Sequence, residues 1–345
     1  MALSPVICTR PVICTWFVAD DTANATFFPQ VNSRSDAAAS QAVYWRCTAG
    51  FYASSLAVNP VARHVFFTNT RLPVIDGTDF AALFDRWGIE TVTLPITYRL
   101  PRDAVSSWGN QFYIFDILDH FAAQPHDGPV IVLDSDCLWL KPVDEMAQAI
   151  DAAGALAYRL DHDEHADGSA INGLTRAQMA KFLGSVGGPA RDETPYFGGE
   201  IFAARADVVT RLAERARALW PQVIAQGSNS PREEAHFLSI LYALEGMDQA
   251  MANGFIRRMW TTFHHNNLQA SDASLAIWHL PAEKKTGFAD LFREIAARPN
   301  LHPARDGKAL GLTAPNYARL MGWPRRRPIK FLRDLSLKVA EKVRA

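Results

Sequence analysis

Residues 129–142 read PVIVLDSDCLWLKP. The first five are wholly apolar, as expected of a short central strand covered on both faces of a parallel sheet. Two aspartates, Asp134 and Asp136, stand directly after it with one residue between them. In an open α/β sheet ligands bind beyond the carboxyl ends of the strands, so both carboxylates can face one ion or polar ligand. Hard oxygen donors suit Mg2+ or Mn2+, ions that keep waters and take substrate phosphates as further ligands. An Asp-Ser-Asp can also cap a turn. Its place at the end of an apolar strand favours metal or nucleotide binding.

Working outward, Val12 to Ala19, Arg63 to Asn69 and Ile89 to Leu94 read as further strands. Asp36 to Val58 and Trp108 to Ala123 read as helices. Strands separated by helices predict an α/β domain with a mostly parallel central sheet flanked by helices. After residue 150, Ala155 to Leu160 reads as a strand and 161–173 as a polar loop. Tyr196 to Ala204 reads as a strand kinked or closely approached at Gly198 and Gly199. Asp207 to Gln226 and Arg232 to Leu244 read as helices, and Leu275 to Leu280 as a late strand. Pro-Val-Ile-Cys-Thr occurs at 5–9 and again at 11–15. The second copy supplies the first strand; the first is a lead-in.

Composition bounds the function. The chain has 345 residues, 48% of them hydrophobic, with 20 Gly and 20 Pro, which excludes collagen-like and disordered classes. No apolar run approaches the roughly 18–20 residues of a membrane span, and the N-terminus lacks the pattern of a signal peptide. Four cysteines form no CxxC pair, so neither a zinc ribbon nor a disulfide framework is supported, and a reducing cytoplasm fits. The net charge of −1 conceals an asymmetry: residues 324–345 carry eight bases against two acids, and the rest 27 bases against 34 acids. G-x-G-x-x-G, Walker A and G-x-S-x-G patterns are absent. Lys285-Thr286-Gly287 has no Ser-x-x-Lys partner. Only the basic tail would speak for nucleic acid, which is not expected as a partner.

The stretch VIVLDSDCLWLKPVDEM, at 130–146, resembles the DxD segment of GT-A (Rossmann-like) glycosyltransferases, most of all glycogenin-like enzymes and bacterial lipopolysaccharide galactosyl- and glucosyltransferases. Three further segments follow in that family's order. Tyr196 to Phe202 resembles its Y-F-N-S-G strand, and Glu233 to Leu238 the start of its D-Q-D helix. Trp278 to Gly287 resembles its late H…K-P-W segment. The resemblance implies a nucleotide-sugar donor, a uridine diphosphate sugar by preference, and a glycan or glycolipid acceptor. It assigns Asp134 to donor and metal, Asp136 to the metal, and His279 to the metal shell, with His264 or His265 as the alternative. Lys284 or Lys285 would neutralise the diphosphate. Asn69, Asn110 and Gln111 fall where the family contacts the donor. Gly199 and Glu200 replace its Ser-Gly pair, and Glu233-Glu234 its Asp-Gln. Glu200 and Glu234 could hold the sugar hydroxyls; the plainer readings are an Arg-paired strand charge for Glu200 and a helix N-terminal acid for Glu233.

The chemistry wants these parts. A leaving nucleoside diphosphate gathers negative charge as the glycosidic bond breaks, and a divalent Lewis acid with a lysine disperses it. Deleting either is expected to damage turnover more than fold. A sugar-nucleotidyltransferase is the alternative enzyme, but the first strand runs into Asp20-Asp21 rather than a basic Gly-rich loop. A non-enzymatic scaffold on the same fold is the third reading.

The expected organisation is a transferase domain at 11–300, a linker or peripheral segment at 301–323 and a basic amphipathic helix at 324–345. In that helix Ile329, Leu332, Leu335, Val339 and Val343 share one arc, with Lys330, Arg333 and Arg344 opposite. This is the pattern of an interfacial helix on an anionic membrane surface. The alternative is that the helix packs back on the acidic domain.

Overall fold

The computed structural model describes residues 10–344 except 102–103, 105–106, 125, 161–167, 226, 249, 263 and 324–327. The first Pro-Val-Ile-Cys-Thr copy, the polar Asp161 to His165 run and the Arg325-Arg326-Arg327 cluster lie outside the described residues.

From the N-terminus, β1 (Val12–Phe17) leads through a hairpin of β2 (Phe27–Phe28) and β3 (Ser33–Arg34) into α1 (Ala38–Val58). Next come β4 (Arg63–Thr68), a second hairpin of β5 (Val74–Ile75) and β6 (Thr78–Asp79), α2 (Phe80–Trp87) and β7 (Glu90–Thr93). Then follow α3 (Tyr113–Ala123), β8 (Val130–Leu133), β9 (Cys137–Trp139), α4 (Asp144–Ala153), β10 (Ala155–Leu156), α5 (Arg176–Ser185) and β11 (Ile201–Ala204). The chain continues through α6 (Ala206–Ile224), α7 (Glu234–Leu244), β12 (Ile256–Arg258) and β13 (Ile277–His279). It ends in α8 (Gly287–Ala296), α9 (Pro303–Asp306), α10 (Ala314–Leu320) and α11 (Pro328–Arg344).

The main sheet has the order β10-β11-β8-β1-β4-β7. The β8–β1, β1–β4 and β4–β7 pairs are parallel, and β11 runs antiparallel to β8. This is the expected mostly parallel sheet flanked by helices. Successive residues of its central strands feed two different cores. Ile13, Phe66, Ile131 and Leu133 meet α1, α2 and α8 on one face. Val12, Cys14, Val65, Phe67, Val130 and Val132 meet α3, α6 and α7 on the other. Burial on both faces is why these strands read as continuous apolar runs rather than alternating ones. A second sheet, β12-β13-β9, stands beside the first.

Among the described residues, three element bounds differ from the sequence reading by more than two residues. The helix expected from Trp108 starts at Tyr113. Trp108 has φ +48°, which a bulky side chain rarely adopts, and its N–H donates to the Phe27 carbonyl at 3.2 Å. Residues 108–112 therefore form a turn clamped to the β2–β3 hairpin. The strand expected over Tyr196–Ala204 begins at Ile201, because residues before it bend around two buried carboxylates, described below. The strand expected over Ala155–Leu160 is regular only to Leu156, continuing as isolated bridges from Ala157 to Met251 and from Arg159 to Phe197. Residues 301–323, expected as a linker or peripheral segment, place Leu310, Leu312, Tyr317, Leu320 and Met321 in the core shared with α1 and α8.

Candidate active site

β8 ends at Leu133, and the chain turns at once: the Cys137 N–H donates to the Asp134 carbonyl at 3.2 Å. The Asp134 N–H donates to the Glu200 carbonyl at 3.0 Å, pinning the turn to the head of β11. β9 leaves this turn and pairs antiparallel with β13, which sets His279 opposite Cys137. The Leu280 N–H closes the pairing on the Asp136 carbonyl at 3.0 Å. Strand register thus brings together a histidine and a carboxylate pair far apart in the chain.

His279 Nε2 lies 3.3 Å from Asp136 Oδ2 and 3.6 Å from Asp134 Oδ2. Ligand atoms of Asp134, Asp136 and His279 all fall within 4.8 Å of one another. Among the described residues this metal-competent group contains neither His264 nor His265; His265 stacks on Trp260 with ring centroids 4.9 Å apart. The Lys284 ammonium donates to Asp136 Oδ2 and lies 5.7 Å from the Tyr44 ring centroid. Lys284 is the lysine in the site; Lys285 is half-buried.

Two observations test whether a divalent ion fits. Neither ring nitrogen of His279 finds a hydrogen bond of good geometry although the ring is buried. The donor set is two carboxylates and one imidazole, which suits Mn2+ or Mg2+. The two aspartates are also unequal: the Asp136 side chain is 2% exposed and that of Asp134 40%. The inner carboxylate is held by protein and the outer one opens to a ligand.

Charge follows position. Burial alone would raise Asp136, but the Lys284 ammonium and the His279 ring override it and hold the carboxyl well below its usual range. Asp134, desolvated and facing Asp136, is pushed up to about 6. Burial would lower His279, but Asp136 and Glu200 raise it to about 9. Without an ion, the Lys284 ammonium and a protonated His279 balance the carboxylates. An ion held through Nε2 would displace that proton.

Behind His279 stands Glu200, its Oε1 3.4 Å from Nδ1. Both Glu200 oxygens are also engaged by Arg258, at 2.9 Å from Nε and 2.8 Å from Nη2. Glu200 is 1% exposed; Arg258 and His279 outweigh the effect of burial and hold it down at about 2. It thus takes the Arg-paired arrangement, turned toward His279 rather than into the cleft.

That cleft is lined by Asp134, Asp136, Lys284 and Glu234 together with the rings of Trp16, Phe28, Tyr44 and Trp108 and the amides of Gln30, Asn110 and Gln111. Glu234 is buried with Oε2 lacking any partner. Desolvation, then the neighbouring Glu233 and Asp134, raise its carboxyl well above the usual range. Glu233 precedes the first residue of α7 without a capping hydrogen bond and accepts from the Tyr196 hydroxyl at 2.8 Å. The glycines before β11 make room for both buried acids. A Cβ on Gly199 would lie 2.0 Å from Glu234 Oε1, and one on Gly198 1.9 Å from Glu200 Oε2. Asn69 is placed elsewhere: its amide accepts from the Ala19 N–H at 2.8 Å and donates to the Ala19 carbonyl at 3.0 Å. It ties the ends of β1 and β4.

Sequence reasoning missed Arg258, Tyr44, Phe28 and Gln30. Arg258 carries no motif; only the buried acid it meets gives it a role. Tyr44 is one aromatic in a helix that is mostly buried, so periodicity does not single it out.

No protein-family model and no curated protein matches the chain. Among solved structures, an active-site mutant of LgtC superposes with a TM-score of 0.49 at 13% identity, covering 86% of this chain and 99% of that one. Mouse xyloside xylosyltransferase 1 in its apo form gives a TM-score of 0.43 at 10% identity, covering 78% of this chain and 97% of that one. The chain is similar to both over most of its length, and a likeness at this level assigns no activity.

Proposed function

We propose that this chain is a metal-dependent glycosyltransferase of GT-A architecture. It transfers a glycosyl group from a nucleotide-sugar, with a uridine diphosphate sugar as donor, to a hydroxyl of a glycan or glycolipid acceptor, with retention of configuration. One observation carries the reading: Asp134, Asp136 and His279 converge within ligand reach of one another, with Lys284 beside them, at a cleft that is also lined by aromatic rings. Asp134, Asp136 and His279 would hold Mn2+ or Mg2+, which when bound supplies Lewis-acid stabilisation of the diphosphate. Lys284 adds a second positive charge for the leaving group. The aromatic lining, with Asn110 and Gln111, suits a nucleobase: a flat ring, with amides to read its edge. Glu234, its carboxyl pushed up by burial, has an oxygen, Oε2, available to a sugar hydroxyl. Glu200 acts at one remove: its carboxylate, held by Arg258, faces His279 Nδ1 at 3.4 Å, an approach that would orient the ring once Nε2 holds a metal.

The reading extends to the tail. Ile329, Leu332, Leu335 and Val339 are 84%, 62%, 46% and 54% exposed, and eight bases stand against two acids over 324–345. This outward apolar stripe on a basic segment suits the cytoplasmic face of an anionic membrane. No helix among the described residues is long and apolar enough to cross one.

The test is a panel of nucleotide-sugars with Mn2+, scored for donor hydrolysis and for transfer to glycan acceptors. Chelator should abolish turnover and Mn2+ or Mg2+ restore it. Full turnover in excess chelator would refute the metal role, and no turnover or binding with any nucleotide-sugar would refute the enzyme.

A further inference from the structure

Glu283 is fully buried, lines no part of the cleft, and follows His279 by four residues. Its Oε1 accepts from the Thr261 hydroxyl and lies 2.9 Å from Lys330 Nζ. Its Oε2 accepts from the Thr286 hydroxyl at 2.6 Å and from the Gly287 N–H at 3.3 Å. Its own N–H donates to the Leu280 carbonyl at 3.0 Å, and its carbonyl accepts from the Thr286 N–H at 3.1 Å. Glu283, through its backbone and its carboxylate together, therefore closes the whole turn from Leu280 to Gly287, and Lys284 sits in the middle of that turn.

The cation on Glu283 comes from α11. Lys330 also donates to the Thr261 carbonyl at 3.3 Å and pairs with Asp334 at 2.8 Å. Its side chain is 14% exposed. The turn before the helix leaves space for it: Gly322 has φ +72°, and a Cβ there would lie 2.0 Å from Lys330 Cδ. One helical turn on, Arg333 pairs with Asp290 of α8. Lys330 and Arg333 are thus engaged by the domain, while Ile329, Leu332, Leu335 and Val339 stay exposed.

We propose that Lys330 is a positioning residue for Lys284. Through the Lys330–Glu283 pair, α11 sets the turn that holds the Lys284 ammonium at Asp136, so the tail is a working part of the diphosphate half of the site. A buried carboxylate stripped of its cation is strongly unfavourable; without Lys330, Glu283 must take up a proton or leave its hydrogen bonds, and either change loosens the turn. This proposal rests on the donor reading above. By reciprocity, nucleotide bound at Lys284 strengthens the docking of α11.

The experiment uses the full chain and uridine diphosphate with Mn2+, followed by titration calorimetry, with Mn2+ alone followed by its spin-resonance signal. Lys330→Met is expected to weaken uridine diphosphate at least tenfold while changing Mn2+ binding less than twofold. Lys330→Arg is expected to stay within threefold of wild type. In a Lys284→Met background the Lys330→Met step should cost less than twofold, since its effect passes through Lys284. If Lys330→Met does not fold, Lys330→Gln, which keeps a donor and loses the charge, is read by the same criteria. Unchanged nucleotide binding in a folded variant, or an equal loss in the Lys284→Met background, overturns the proposal. A wild-type chain that binds Mn2+ but no nucleoside diphosphate refutes the donor reading itself, a result seen before any variant is made.

Discussion

Neutralising the two aspartates one at a time should split their roles. Asp136 is 2% exposed and faces two buried cationic groups, the Lys284 ammonium and the His279 ring. Asp136→Asn leaves them without their shared carboxylate. Removing one partner of a buried ion pair costs about 3–5 kcal/mol. At roughly 2 °C per kcal/mol for a chain of this size, the Tm should fall about 6–10 °C. Asp134 is different: its side chain is 40% exposed, and it is repelled by Asp136. Asp134→Asn relieves that repulsion, so the metal-free Tm should hold or rise. Both variants should lose Mn2+ binding and turnover. The assay is calorimetric melting of chelator-treated protein at pH 7, beside Mn2+ titration. A Tm for Asp136→Asn at or above wild type, or one for Asp134→Asn below that of Asp136→Asn, would refute the electrostatic account. This differs from the sequence-based expectation that the metal site serves turnover more than fold. On the electrostatic account the inner carboxylate supports the fold as well, because the protein's own cations surround it.

Glu200→Gln and Arg258→Met should each weaken Mn2+ by about 10–100-fold by unfixing the His279 ring; equal affinities in Mn2+ titrations of folded variants would remove that role. Gly199→Ala forces a Cβ to within 2.0 Å of Glu234 Oε1, so it should cost about 1–3 kcal/mol in urea unfolding and displace the Glu234 carboxyl. Because the folded state raises the Glu234 pKa, the folded chain binds that proton more tightly. Its contribution is full below the unfolded pKa of about 4.3 and is lost as pH rises toward the folded value. Glu234→Gln should therefore flatten the fall in stability with rising pH; urea midpoints from pH 5 to 9 with an unchanged slope would contradict this. Leu332→Asp with Leu335→Asp, both on the outward stripe, should reduce sedimentation with anionic vesicles at moderate salt without changing nucleotide binding. Undiminished sedimentation would rule out the apolar stripe as the contact.

Much of the architecture was legible because burial on both faces leaves a local mark. PVIVL and VICTWF are apolar at every position or nearly so, RHVFFT has Val65-Phe66-Phe67 at its centre, and each is a central strand. The carboxylate pair was legible for the same reason, since an apolar run marks the strand end. Gly198 and Gly199 showed that something approaches the backbone there, but not that it is two buried acids. What approaches a glycine is set by other parts of the chain.

Only the tertiary structure decided the rest. His279 meets Asp136 because β9 and β13 pair in one register, and a shift of one residue would turn the ring to the opposite face. Lys284 rather than Lys285 reaches the site because the Glu283 turn selects it. Glu200 serves His279 rather than the cleft because Arg258, with no motif to announce it, arrives from a separate strand. The tail's amphipathic pattern was plain in its residues, yet the same pattern fits a helix whose bases face outward or one whose bases dock inward. Lys330 and Arg333 dock because buried Glu283 and half-buried Asp290 wait on the surface they meet. Periodicity records which residues share a face; what that face touches depends on long-range contacts that no local stretch of sequence encodes.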